Sequence, residues 1–184
     1  CGFCRGGRLC TDECSMCYDK SFAGSEKAKY WDYTKNTNTP RDVTKCSGKK
    51  YWFICDKCNH SFDITISNIV IGNWCRYCAS SVLCKNDCSI CYNKSFASSE
   101  KAKYWDYTKN INTPRDVTKG SDKKCWFLCN ICNHSFDVAL SKTKNRWCPY
   151  CGGKKICKNE CVLCFSKSMA NSDKAQNWNY TKND

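Results

Sequence analysis

The sequence predicts small α+β modules in tandem, each stapled by metal. Three observations carry that prediction. Cysteine triads recur: Cys10, Cys14 and Cys17 return as Cys84, Cys88 and Cys91, then as Cys157, Cys161 and Cys164. Paired cysteines recur in step with them: Cys55-x2-Cys58 with Cys75-x2-Cys78, then Cys129-x2-Cys132 with Cys148-x2-Cys151. Finally, a repeat of about 73 residues buries only a thin core, so it needs a staple.

The 184 residues hold 21 cysteines. A secreted disulfide scaffold is the alternative reading of such a count. The Cys-x2-Cys pairs favour zinc instead, because one tight turn offers two thiolates to one ion. Asn-x-Ser/Thr triplets start at Asn59, Asn93, Asn133 and Asn179, but Asn59 and Asn133 fall inside the expected knuckles. No signal peptide is expected on this reading, and no apolar run is long enough to span a membrane. The formal charge is +13. Each four-cysteine zinc site carries roughly −2, so two of them lower the total to about +9, and three metal-filled triads would lower it to about +6. The chain stays basic, though less so than a dedicated nucleic-acid arm.

Each repeat is expected to run from a triad to a closing Cys-x2-Cys, over 10–83 and 84–156. Residues 1–9 then end a preceding module, because Cys1-x2-Cys4 matches Cys75-x2-Cys78, and 157–184 begin a truncated one. On this reading the chain is a window onto a longer array. No Pro/Gly-rich linker separates the repeats, which favours a semi-rigid rod.

Within a repeat the triad comes first. Ser98 to Trp105 then reads as a short helix with a serine cap and Glu100 in its first turn. The same layout occurs at Ser25 to Trp31 and Ser172 to Trp178. Two turns are not stable alone, so the Trp must pack on the module. Pro40 and Pro114, in Thr-Pro-Arg-Asp-Val, suit a turn or the first position of a helical turn. Tyr51 to Ile54 and Trp126 to Leu128 read as buried strands. After the knuckle, Phe62, Ile64 and Ile66 alternate with polar residues, the period of a half-buried strand. Trp74 is expected to pack beside Cys75 and Cys78.

The expected metal ligands are therefore Cys55, Cys58, Cys75 and Cys78, then Cys129, Cys132, Cys148 and Cys151, with Cys1 and Cys4 from the preceding module. Four protein ligands leave no position for water, so these zincs should be structural. The triads Cys10/Cys14/Cys17, Cys84/Cys88/Cys91 and Cys157/Cys161/Cys164 form either a second metal site or small buried thiols beneath the helix. Glu26, Glu100, Asp173, a serine or water are the candidates for a fourth ligand. Cys46 and Cys125 lack repeat counterparts and read as incidental. For His60 and His134, packing or a sulfur contact is expected rather than ligation. No recurrent partner supports acid–base chemistry at them. Lys49, Lys50, Lys101, Lys103, Lys123, Lys124, Arg41 and Arg115 are the candidates for nucleic-acid or partner contact, with Tyr and Trp available to stack on bases. The competing reading is a solvated face of mixed charge.

The segments SFASSEKAKYWDYTKN, NTPRDVTKGSDKKCWFLCNICNHSFDVAL and WCPYC, with their first-repeat equivalents, carry a family pattern. The chain resembles the zinc-ribbon, treble-clef-like repeats found in bacteria and, in long tandem arrays, in giant DNA viruses of amoebae. The family carries a histidine near Ser99, where all three repeats here have serine (Ser25, Ser99, Ser172). That histidine would be the natural fourth ligand of the triad. The resemblance implies a zinc-ribbon or treble-clef-like knuckle and β-hairpin plus one short helix per repeat, with zinc as cofactor. The expected function is that of a non-enzymatic scaffold, a minor capsid or internal virion protein of a large DNA virus, partnered by other virion proteins. The expected place is the virion and the host-cytoplasmic virus factory, without secretion, membrane or small-molecule substrate. The alternative is a nucleic-acid-binding array for genome packaging or transcription.

Overall fold

The computed structural model describes residues 8–11, 14–80, 82–158, 161–179 and 181. Cys1 and Cys4, and so the metal pair expected there, lie outside the described residues. The chain forms two compact units, Cys1–Cys84 and Lys85–Asp184.

In the first unit the triad builds a helix, α1 (Ser15–Lys20), with Cys14 at its N-cap position and Cys17 buried within it. The sequence reading missed this helix, because six residues show no helical periodicity and would not be stable alone. The expected helix after it is a 3-10 turn, Glu26–Tyr30, entered through Ser25, whose hydroxyl accepts from Lys27 N–H at 3.3 Å. Pro40 opens another 3-10 turn, Pro40–Asp42. Thr39 and Asp42 cap that turn reciprocally: the Asp42 carboxylate accepts from Thr39 N–H at 2.8 Å and from the Thr39 hydroxyl at 2.7 Å.

The hairpin follows as β1 (Lys50–Ile54) and β2 (Ser61–Thr65), antiparallel, with Phe53 opposite Phe62 and Tyr51 opposite Ile64. The run Tyr51 to Ile54 is not buried throughout. Phe53 faces the core, while Ile54 is exposed. Ile66 does not extend β2. Thr65 turns the chain, its hydroxyl accepting from Asn68 N–H at 3.3 Å, and Ile66 enters a short helix, α2 (Ile66–Val70). A helical turn still buries Ile66 fully, together with Ile69. Gly72 at φ +92° then swings the chain toward the second knuckle, a conformation that suits glycine.

One residue fewer separates the knuckles in the second unit. There α3 (Ser89–Lys94) is followed by 3-10 turns at Phe96–Ser98, Glu100–Tyr104 and Pro114–Asp116. The hairpin is β3 (Lys124–Leu128) with β4 (Ser135–Ala139), Phe127 opposite Phe136. A 3-10 turn, Leu140–Lys142, replaces the helix of the first unit. This unit also contains α4 (Val162–Ser166), built from the last triad, and 3-10 turns at Met169–Asn171 and Ala175–Asn177. The helix expected over Ser172 to Trp178 is only the latter turn.

Rings fill the core. In the first unit Phe53 meets Phe22, Trp31 and Trp74 with centroids 5.6, 5.3 and 5.6 Å apart, and Trp74 meets Phe62 edge-on at 5.0 Å. Such edge and tilted geometries are the favoured ones. The chain after the 3-10 turn also closes the outer edge of β1. Trp31 bridges Phe53, and Asp32 N–H donates to Trp52 C=O at 3.1 Å. Asn36 extends this with its amide, which donates to Trp52 C=O at 2.8 Å and accepts from Trp52 N–H at 2.9 Å. Asn110 does the same for Trp126. The outer edges of β1 and β3 are thereby covered rather than left open to another strand.

Candidate metal centres

The turn between hairpin strands supplies the first two sulfurs of each four-cysteine set. Cys55 N–H donates to His60 C=O at 3.0 Å, and Asn59 N–H to Cys55 C=O at 3.0 Å. Asn59 takes a left-handed conformation, φ +53°, as does Asn133, φ +54°. That tight reversal directs both thiols of a knuckle to one point. Lys57 N–H also points at Cys55 Sγ, 3.4 Å away, and Cys151 N–H at Cys148 Sγ, 3.5 Å away. Trp74 and Trp147 bring in the other pair by packing on the phenylalanines of the hairpin.

The sulfurs of Cys55, Cys58, Cys75 and Cys78 all lie within 4.8 Å of one another, as do those of Cys129, Cys132, Cys148 and Cys151. The closest approaches are 3.6 Å for Cys55 to Cys78, 3.5 Å for Cys58 to Cys75, 3.6 Å for Cys129 to Cys151 and 3.4 Å for Cys132 to Cys148. A disulfide needs about 2.05 Å. Four thiolates at about 2.3 Å around a tetrahedral ion stand about 3.8 Å apart. The sets fit the second geometry, and no disulfide joins the described cysteines.

Protonation gives the same answer. Burial pushes the Cys129 thiol up, but the N–H groups of Cys132 and Ile131 and the thiols of Cys132 and Cys151 outweigh it and bring it down to about 7. Burial lifts Cys148 to about 11 and Cys151 higher still. In the first unit Cys55 is lowered in the same way, against burial, by the N–H groups of Lys57 and Cys58, while burial raises Cys58 and Cys75. Like charges cannot share so small a volume, so one sulfur ionises at its neighbours' expense. A divalent cation removes that conflict. With all four positions filled by protein the ion is closed to water.

The triads are less uniform. Cys10, Cys14 and Cys17 converge as a set of three, with no fourth His, Asp or Glu among the described residues. Cys84 ends the first unit, Cys88 stands at the N-cap of α3, and Cys91 is buried within that helix. In the second unit, Cys157, Cys161 and Cys164 converge with His134, their ligand atoms all within 4.8 Å. The fourth group there is thus not Asp173. Nor are Ser25 and Ser99 ligands, since both hydroxyls accept from the backbone N–H two residues on. The packing and sulfur contact expected of the histidines are both present. His60 stacks on Tyr77 at 4.3 Å, His134 on Tyr150 at 4.3 Å, and His134 Nε2 lies 3.8 Å from Cys164 Sγ. Beyond the packing expected of it, His134 thus also stands among the triad sulfurs. Its distance in sequence from the triad hid it.

Cys46 is exposed. Cys125 is a core residue, opposite Val138 in the hairpin, where the first unit has Tyr51. Several of the basic candidates have partners within their own unit. Lys50 pairs with Asp63 and Lys124 with Asp137, each at 3.3 Å. Lys101 sits over Trp147 at 4.5 Å and Lys103 over Tyr104 at 5.1 Å. Arg41 reaches Cys10 Sγ at 3.7 Å, and Arg115 donates to Asn86 C=O at 3.0 Å. Lys49 and Lys123 are exposed.

The sequence model of the family described as "Probable Treble clef zinc finger domain" matches residues 28–81 and 102–154. Each match takes in a complete four-cysteine set. The chain is also 38% identical over 104 residues to an uncharacterized protein of Acanthamoeba polyphaga mimivirus. That alignment covers 55% of this chain and 25% of the relative.

Proposed function

The chain belongs to the treble-clef zinc-finger family, with zinc as its cofactor, and on that premise we propose that it is a non-enzymatic scaffold of a large DNA virus. It is a structural strand within or beneath the capsid, partnered by other virion proteins and built in the host-cytoplasmic virus factory. The observation that supports this most is how the reactive groups are engaged. The eight sulfurs of the two four-cysteine sets converge in closed tetrads. Both histidines are stacked on tyrosines. Many aromatic side chains form cores or lie under lysines of the same module, as Trp74 does under Lys27 at 4.4 Å and Trp126 under Lys109 at 4.6 Å, while Tyr33, Tyr107 and Trp178 are exposed. Rings and cations arranged this way favour rigidity over stacking on bases.

Two measurements separate the scaffold from a nucleic-acid-binding array. The scaffold should stay with capsid shells through nuclease treatment. It should bind DNA or RNA only weakly at physiological salt. Sub-micromolar binding with a steep salt slope, together with release from shells by nuclease, would refute the scaffold reading.

A further inference from the structure

We propose that His134, Cys157, Cys161 and Cys164 form a second kind of zinc site, one that clamps the hairpin of one repeat to the opening helix of the next. His134 comes from the reversal between β3 and β4, while the three cysteines surround and begin α4, 23 to 30 residues later. The repeat pattern assigns these to different repeats, so the site makes a link between links. It rests on the zinc reading above but on separate residues.

Four observations point there. The three thiols and one imidazole nitrogen converge within 4.8 Å. His134 Nε2 to Cys164 Sγ, at 3.8 Å, has the spacing of two ligands on one ion rather than of a strong hydrogen bond. Cys157 N–H points at Cys164 Sγ, 3.3 Å away, the same N–H to sulfur support seen in the four-cysteine knuckles. The imidazole is held flat by Tyr150, with 16° between ring planes, and its Nδ1 is buried without a hydrogen-bond partner. Nε2, the ring nitrogen that faces the thiols, is the one placed to bind a metal. Three cysteines and one histidine are a usual structural zinc set. Lys167, at the end of the helix, also ties it to the module, its ammonium donating to Cys151 C=O.

The test compares zinc retention in the reduced chain against a chelator, with protease cleavage around residues 152–168 as a second readout. His134→Phe keeps the stack on Tyr150 and removes the nitrogen. Cys157→Ser/Cys161→Ser/Cys164→Ser leaves the hairpin untouched. Each variant, and the two combined, should lose one zinc per chain at a chelator strength the native chain withstands. Cleavage at 152–168 should rise while the hairpin stays protected. Unchanged retention in His134→Phe would overturn the clamp, since a histidine that merely packs is replaced well by phenylalanine. A loss of two ions in the combined variant would also overturn it, because the histidine and the triad would then serve separate sites. Absence of zinc from the native chain would instead remove the premise of the fold.

Discussion

At the scale of single residues, the two units supply their own controls. In the first, Asp56 accepts from Trp74 Nε1 at 3.0 Å and faces Lys27 at 3.9 Å. In the second, Asn130 stands at that position and Trp147 Nε1 is buried without a partner. Asn130→Asp should therefore stabilise the second hairpin by about 1 kcal/mol, measured by chemical denaturation with zinc present. The buried carboxylate of Asp32 tests the opposite direction. Burial raises its pKa, but hydroxyls of Thr34 and Ser61 and the Thr34 N–H outweigh that and hold it below the usual carboxylate range. A lowered folded-state pKa gives stability that is present at neutral pH and lost as pH falls through the acid range. Asp32→Asn should cost about 1–3 kcal/mol, because an amide cannot accept on both sides as the carboxylate does. It should also flatten the acid limb of the pH–stability curve, and an unflattened limb would count against this role. Neither Asp32 nor Asn36 was legible as structural in the sequence. A polar run between two apolar stretches looks like a loop, and only the fold reveals that Asn36 replaces a strand's hydrogen bonds.

At the scale of elements, the knuckles and hairpins were legible because their signals are local: two thiols three apart, then alternation. Phe53, Phe62, Phe127 and Phe136 sit in the core at the expected strand positions. The triad helices were not legible, since six residues carry too little pattern, and they exist through Phe22 and Phe96 docking beside them. His134 escaped for a related reason. Ligands 30 residues apart belong together only once α4 packs on the hairpin. A two-stranded hairpin is marginal by itself. Cys129→Ala should accordingly unfold 124–151 locally rather than cost the roughly 1–3 kcal/mol of an ordinary small substitution, because metal binding is coupled to folding. Limited proteolysis reads this directly: new cuts should appear in β3 and β4, while cuts within 50–65 should not. Native-like resistance of 124–151 would show that the aromatic cluster suffices.

At the scale of the molecule, tandem modules with thin cores place stability in metal rather than in apolar area. The formal charge of +13 is then an upper figure, lowered by each anionic zinc centre. Acid should act through the same centres. Protons compete with the ion for thiolates, so zinc release and unfolding should coincide as pH falls, and added zinc should move the transition to lower pH. A transition insensitive to zinc would place stability elsewhere. Among the described residues no helix is long and apolar enough to cross a membrane. The most direct test of metal dependence is amide hydrogen exchange of the reduced chain before and after zinc is stripped. Loss of protection at Phe53, Phe62, Phe127 and Phe136, restored by zinc, is the predicted result. Protection that survives stripping would contradict the account, for the rings alone would then hold the modules.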